Sequence, residues 1–133
     1  MKLLRVGQKG QEKPAALDKD GKIRDISSHI SDLNPDHLNF ESISKLQSAD
    51  IASLPEISSS ERIGSCITKP GKFIAIGLNF SDHAAETGAE VPSEPITFMK
   101  ATSCINGPND DIEIVTGSKK LDWEVELGIV IGK

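Results

Sequence analysis

The segment that most restricts the fold of this chain is the run WEVELGIVI at residues 123–131. Side chains on a β-strand point to alternate faces with a period of two residues. A strand here would place four apolar side chains on one face, namely Trp123, Val125, Leu127 and Ile129. We interpret the run as the strongest strand of the chain. Because it lies close to the last residue, we expect the chain to stop inside a sheet.

Two glutamates, Glu124 and Glu126, share the other face of this predicted strand. Their Cα atoms would lie roughly 6.5–7 Å apart at ~3.3 Å rise per residue, so both carboxylates could converge on one hard divalent cation. The alternative is a solvated polar face. Gly128 and Val130 continue this face without charge, which favours burial over solvation. Two carboxylates are too few for a complete Mg²⁺ site, which needs further protein, water or substrate oxygens.

An earlier part of the chain predicts a strand, a helix and a second strand. The apolar run KFIAIGL at residues 72–78 indicates a buried strand. We predict a helix at residues 80–87, with the Asn79 side chain as its N-cap and Gly88 at its C-terminal end. The run ITFMK at residues 96–100 indicates the next strand.

His83 and Glu86 are candidates for acid–base chemistry on the predicted helix. They stand three residues apart, so their side chains face the same side. A carboxylate beside an imidazole orients the ring and favours its protonated form, as a general acid–base pair requires. The alternative is a surface pair near the end of a short helix.

Lys100 ends the predicted strand at residues 96–100. A lysine at that position could neutralise a substrate carboxylate, and it could equally lie at a solvated strand end. The sequence Gly-Pro-Asn-Asp at residues 107–110 predicts a turn shortly afterwards.

The first half of the chain is typical of a small, strand-rich domain. Strands are predicted at Lys2–Val6, 14–17 and 22–26. Asp-Lys-Asp-Gly at residues 18–21 predicts a hairpin, because its glycine can take the positive φ of a tight turn. Weak helical patterns follow at residues 35–40 and 42–48. Residues 54–60 resemble a linker, so we expect a domain boundary near residues 60–70.

Composition excludes several classes of protein. Fifteen basic and twenty acidic side chains give a net charge of −5, which argues against a nucleic-acid surface. The apolar runs are too short to span a membrane, and MKLLRV lacks the apolar region of a signal peptide, so we expect a cytoplasmic location. Cys66 and Cys104 lack metal or redox spacing and are expected to be reduced thiols. Aromatic residues make up only 4% of the chain, so any core is expected to be aliphatic.

Four motifs, taken in order, resemble the fumarylacetoacetate hydrolase family. They are GLNFSDHAAE at residues 77–86, PITFMK at 95–100, GPND at 107–110 and DWEVELGIVIG at 122–132. The first residues, KLLRVGQKGQEKPAALDKDGKIRDIS, are similar to the small N-terminal domain of many bacterial members. The resemblance therefore covers essentially the whole chain.

The resemblance implies a metal-dependent enzyme and assigns roles to the candidate residues. Glu124 and Glu126 would bind Mg²⁺ or Mn²⁺. His83 and Glu86 would form an acid–base dyad on a mobile, lid-like segment. Lys100 is the lysine of the second motif, and we take it as a third catalytic residue. The substrate would be a small 2-oxo or 2-hydroxy carboxylate whose carbonyl the metal polarises, stabilising an enolate-like charge.

The chain departs from the family pattern in two respects. Phe80 stands where the motif commonly has tyrosine, which removes a hydroxyl. Family members are also roughly twice as long, and their third metal-binding carboxylate, an aspartate, comes well after the E-x-E strand. We therefore expect the N-terminal half of an enzyme. The alternative is a non-catalytic truncated remnant or a binding module.

These inferences define the expected fold and function. The fold is expected to be α+β and β-rich, with a small N-terminal domain at residues 1–65. Residues 70–133 are expected to form the first part of a mixed β-sandwich roll, the truncated catalytic domain. We expect a lyase or hydrolase that cleaves a C–C or C–N bond, as a ureidoglycolate lyase does. Its partners would be a small-molecule carboxylate and a second copy in a homodimer, with no nucleic acid and no membrane.

Overall fold

The computed structural model describes all of residues 1–133 and divides them into two compact units. The first unit comprises residues 1–68 together with residues 106–133, and the second comprises residues 69–105. Both units combine short strands with one helix each, which confirms an α+β, strand-rich chain. The finer expectation of a β-sandwich roll, and the division at residues 65–70, stay predictions.

The first unit is built on a four-stranded antiparallel sheet. Its strands are β1 (Lys2–Val6), β2 (Lys13–Leu17), β3 (Ile23–Asp25) and β4 (Glu56–Ile57), in the order β1-β2-β3-β4. One helix, α1 (Phe40–Ser48), and a short 3-10 helix at Ile51–Ser53 lie between β3 and β4. The three predicted N-terminal strands are confirmed. The predicted linker is wrong in part, because Ile57 and Glu56 pair with Ile23 and Arg24 and extend the sheet.

The β2–β3 hairpin forms for the reason that the sequence indicates. Gly21 has a φ of +79°, a conformation that few residues other than glycine adopt readily. The amide of Asp18 donates to the carbonyl of Lys22 at 3.0 Å, which closes the turn. The Asp18 carboxylate accepts from the amides of Asp20 and Lys22, each at 2.9 Å, so the turn is satisfied by its own side chain.

The core of the first unit is aliphatic, as the low aromatic content predicts. Its largest fully buried apolar side chains are Ile26, Leu33 and Leu46. Leu46 comes from α1, whose first turn is capped by the Asn39 side chain accepting from the amide of Ser42 at 2.9 Å. The helix predicted at residues 42–48 is therefore confirmed.

The helix predicted at residues 35–40 is wrong, since only Phe40 is helical there and the rest forms turns and bends. The Asn34 carboxamide oxygen accepts from the amides of Asp36 at 2.9 Å and His37 at 3.2 Å. A short polar side chain that bonds nearby amides in this way offers the backbone an alternative to a continuous helix.

The second unit contains β5 (Ile74–Gly77), α2 (Ser81–Thr87) and β6 (Ile96–Met99), followed by a short 3-10 helix at Thr102–Cys104. The two strands pair antiparallel, with Ile74 opposite Met99 and Gly77 opposite Ile96. Both predicted strands and the predicted helix are confirmed in position. The prediction that the first of these strands is buried is wrong, because Ile74 and Ile76 are exposed. The N-cap prediction is wrong, because Phe80 occupies that position and makes no capping hydrogen bond.

The strand predicted at residues 123–131 is also wrong, since these residues form neither strand nor helix. A strand exists through hydrogen bonds to a neighbouring strand, and no segment of residues 1–133 pairs with this one. Its apolar side chains are consequently exposed, with Trp123 at 90% and Val125 at 89% of their full surface. None of the helices has the length and apolar character that crossing a membrane requires.

Candidate functional site

Helix α2 carries the predicted acid–base pair. Ala84 is the residue that the helix buries, at 1% exposure, whereas His83 and Glu86 are exposed. No hydrogen bond or ion pair joins the His83 imidazole to the Glu86 carboxylate. The structure therefore places both groups on one helix in contact with solvent, without forming the bonded dyad.

The ends of α2 are set by backbone geometry. Gly88 has a φ of +66° and its amide bonds back to the carbonyls of Ala84 and Ala85, which ends the helix as predicted. Three residues before the helix begins, Leu78 has a φ of +48°, an unusual value for a bulky side chain. Strained residues of this kind occur often at functional sites. Leu78 belongs to the Gly-Leu-Asn sequence that connects β5 to α2.

Lys100 follows directly after β6 in the same unit. Its amide donates to the carbonyl of Phe73 at 2.9 Å, which continues the pairing of the two strands by one residue. Its ammonium nitrogen lies 6.0 Å from the centre of the Phe98 ring, at the limit of a cation–π contact. The backbone position of Lys100 is thus fixed by the sheet.

The predicted metal ligands, Glu124 and Glu126, belong to the first unit and are both exposed. Carboxylate oxygens suit Mg²⁺ and Mn²⁺. No group of three or more histidine, cysteine, aspartate or glutamate side chains in residues 1–133 is arranged to hold a metal ion. The donor type fits the implied cation, and the number of donors does not. The two-glutamate site stays a prediction.

Sequence reasoning missed a network of charged side chains in the first unit. Arg62 makes a forked pair with Asp110, in which Nε reaches Oδ1 at 2.7 Å and Nη2 reaches Oδ2 at 2.5 Å. Its remaining terminal nitrogen, Nη1, donates to the carbonyl of Gly7 at 3.1 Å and to the Glu12 carboxylate at 2.9 Å. Arg62 therefore ties residue 110 to the loop between β1 and β2.

Arg5 extends the network to the far side of Glu12. It donates to both Asp32 oxygens, from Nε at 2.6 Å and from Nη2 at 3.0 Å, and Nη2 also lies 3.4 Å from Glu12. Arg5 is only 5% exposed, so its charge needs these partners. An arginine within the apolar run KLLRV was the one signal that could have indicated a buried ion pair.

The network shifts the pKa values of its members in the direction expected for ion pairs. The hydrogen bond from Arg62 is the main cause that lowers the pKa of Asp110. Burial by itself would raise the pKa of Glu12, but hydrogen bonds led by Arg62, together with the charge of Arg5, outweigh it and lower that pKa. Both carboxyls are therefore ionised at neutral pH.

A solved structure with a similar fold is known. The chain is similar to the crystal structure of a protein from Mycobacterium smegmatis provisionally assigned as HpcE, with a TM-score of 0.64 and 25% sequence identity. The similarity covers 86% of this chain and 41% of that one.

Comparison with protein families and with individual relatives indicates which family this chain resembles. Residues 72–133 match the model of the fumarylacetoacetate (FAA) hydrolase C-terminal family. The chain is 58% identical over 132 residues to a protein from Burkholderia ambifaria and to one from Burkholderia multivorans, both provisionally named as hydrolases. These alignments include 99% of this chain and 47% of each relative, so it spans about half of their length. These comparisons confirm the resemblance that the four motifs predict: residues 72–133 are similar to the fumarylacetoacetate hydrolase family.

Proposed function

We propose that this chain supplies the N-terminal half of a metal-dependent hydrolase or lyase. The enzyme would cleave a C–C or C–N bond of a small 2-oxo or 2-hydroxy carboxylate, and ureidoglycolate-type and diketo-sugar-acid substrates fit this description. The observation that carries the proposal is the position of His83 and Glu86 together on α2, within the residues that match the family model.

His83 would move the proton and Glu86 would orient its imidazole. Both side chains are exposed and lie one helical turn apart, so small rotations could bring them together. Catalytic hydrogen bonds are often long or absent in the ligand-free protein and tighten only around substrate. Lys100, fixed at the end of β6, would neutralise the substrate carboxylate.

Glu124 and Glu126 would supply two of the oxygens that hold Mg²⁺ or Mn²⁺ in the whole protein. A bound divalent ion would supply Lewis-acid polarisation of a carbonyl. The remaining donors would come from a segment that corresponds to the unmatched part of the relatives, since this chain covers 47% of the relative's length. We further propose that the whole protein is a cytoplasmic homodimer.

The test is a fusion of residues 1–133 to the part of the Burkholderia ambifaria relative outside the matched region. With Mg²⁺ present, we expect turnover of a 2-oxo or 2-hydroxy acid. His83→Ala should lower kcat by about 10²–10⁴-fold, the scale of general acid–base catalysis, with little change in Mg²⁺ affinity. His29→Ala is the matched control, because His29 is an exposed histidine of the first unit.

The second candidate is a non-catalytic binding module. It is favoured by the missing His83–Glu86 bond and by the absence of three clustered metal-ligating side chains. A folded fusion that binds a 2-oxo acid without converting it would support this alternative. Full turnover in the His83→Ala fusion would instead remove His83 from the chemistry.

A further inference from the structure

The Gly107-Pro108-Asn109-Asp110 turn lies directly against the backbone at residue 63. Gly107 is buried, and a Cβ atom placed on it would lie 2.6 Å from the carbonyl oxygen of Ile63. That separation is too short for a real contact, so glycine is what permits this close approach. The turn is closed by the Asp110 amide, which donates to the Gly107 carbonyl at 3.2 Å.

The neighbouring residue in the chain, Arg62, holds the other end of the turn. Its forked pair with Asp110 joins positions that are 48 residues apart. Paired, planar hydrogen bonds between guanidinium and carboxylate fix orientation as well as distance. Ile63 and Arg62 together thus contact the first and the last residue of the motif.

Every oxygen of the Asp110 carboxylate is already engaged. Oδ1 accepts from Arg62 at 2.7 Å, and Oδ2 accepts from Arg62 at 2.5 Å and from the Gly107 amide at 3.0 Å. The positive charges of Arg62 and Lys9 act on the same carboxylate. A cation would have to displace Arg62 and would be repelled by it, so this aspartate is poorly suited to bind metal.

We propose that the Gly-Pro-Asn-Asp motif of this chain is a docking element and that Arg62 is the positioning residue that receives it. The motif joins the N-terminal sheet through the glycine and the aspartate, and it sets where the segment carrying Glu124 and Glu126 begins. This role is independent of the proposed reaction, because it concerns contacts within the first unit.

Amide hydrogen exchange of the fusion protein described above, followed by NMR, tests the proposal, because residues 1–133 alone are expected to aggregate. The Gly107 amide should be protected, because it is buried and bonded to Asp110. Asp110→Asn and Arg62→Gln should each accelerate its exchange by about tenfold or more. The double variant should add little to either single change, since both remove the same pair. The amides of the β1–β2 ladder should keep their protection.

Arg24 provides the matched control, because its ion pair with Asp18, at 2.8 Å, does not involve the Gly-Pro-Asn-Asp turn. Arg24→Gln should leave the exchange of Gly107 unchanged. If Arg62→Gln fails to fold, Asp110→Asn still decides the matter, since Arg62 then keeps Gly7 and Glu12 as partners.

Three results would overturn the proposal: an unprotected Gly107 amide in the unmodified chain, an equal effect of Arg24→Gln, or an equal loss of protection throughout the sheet. The last result would show that Arg62 stabilises the whole unit and does not position the turn. An inactive fusion protein with the expected exchange behaviour would refute the proposed enzyme and leave the docking role in place.

Discussion

Arg62 and Asp110 form a forked ion pair across 48 residues of sequence, with both donor–acceptor distances at or below 2.7 Å. The Arg62 side chain is 27% exposed and that of Asp110 is 15% exposed, so water screens the pair only in part. The contact connects the Gly-Pro-Asn-Asp turn to the loop between β1 and β2, because Arg62 also donates to Glu12 of that loop.

The pH dependence of stability should carry the signature of this pair. The pKa of Asp110 is lowered in the folded state, so the pair stabilises the protein above the unfolded pKa of about 3.9. That contribution is lost as the pH falls from there through the lowered folded value, because the unfolded chain then binds more protons. Thermal unfolding between pH 7 and pH 2 should show a smaller decline of Tm for Asp110→Asn than for the unmodified chain. Parallel curves for the two proteins would contradict this expectation.

Gly107→Ala should destabilise the first unit by ~1–3 kcal/mol, as overpacking commonly does. The added methyl group would meet the Ile63 carbonyl at 2.6 Å and the Asp110 carboxylate at 2.7 Å. Urea unfolding measures the change. Gly128→Ala is the control, because nothing lies within 4 Å of a Cβ atom at that position. Equal stability of the Gly107 and Gly128 variants would show that the turn can move away at little cost.

Leu46→Ala should reduce the free energy of unfolding by about 2–5 kcal/mol, since truncating a fully buried leucine leaves a cavity. Phe40→Ala, on the same helix, should change it by no more than about 0.5 kcal/mol, because Phe40 is 84% exposed. Denaturant titration of both variants compares the two faces of α1. A similar loss in both would contradict the assignment of the core.

Residues 1–133 on their own should bind Mg²⁺ weakly and show no turnover, because they offer no cluster of three metal-ligating side chains. They should also aggregate, since the apolar side chains of residues 121–131 are exposed at every second position. Light scattering should fall for the double variant Val125→Lys, Leu127→Lys and change less for Phe40→Lys. Monodisperse protein that converts a 2-oxo acid would disprove both expectations.

The parts of the fold that local sequence determines were predictable. The β2–β3 hairpin depends on a glycine with positive φ within a few residues of its strands, and the end of α2 depends on Gly88. Residues 123–131 were not, because alternation indicates which face of a strand is apolar and says nothing about whether a partner strand is present. The helix predicted at residues 35–40 does not form for a local reason, because the side chain of Asn34 bonds a nearby amide.

The position of His83 and Glu86 on one helix was predictable from their spacing, whereas their catalytic role stays a prediction. The charge network was not predictable. His83 and Glu86 are three residues apart and appear together in the sequence. Arg5 reaches Asp32 over 27 residues and Arg62 reaches Asp110 over 48, and nothing in the sequence pairs those positions. Ion pairs of this kind depend on the tertiary fold, which places one charged side chain opposite another.

The long separation between Arg62 and Asp110 has a consequence for the order of events during protein synthesis. Chains emerge from the ribosome from the N-terminus, and their first domains fold first. The four strands and α1 all lie before residue 58, so the sheet can assemble while Arg62 still lacks Asp110. Arg62 can already bond Gly7 and Glu12 at that stage, but its forked pair with Asp110 closes only after 48 further residues have been added. In this order of events the N-terminal sheet forms first, and the Gly-Pro-Asn-Asp turn docks on it afterwards.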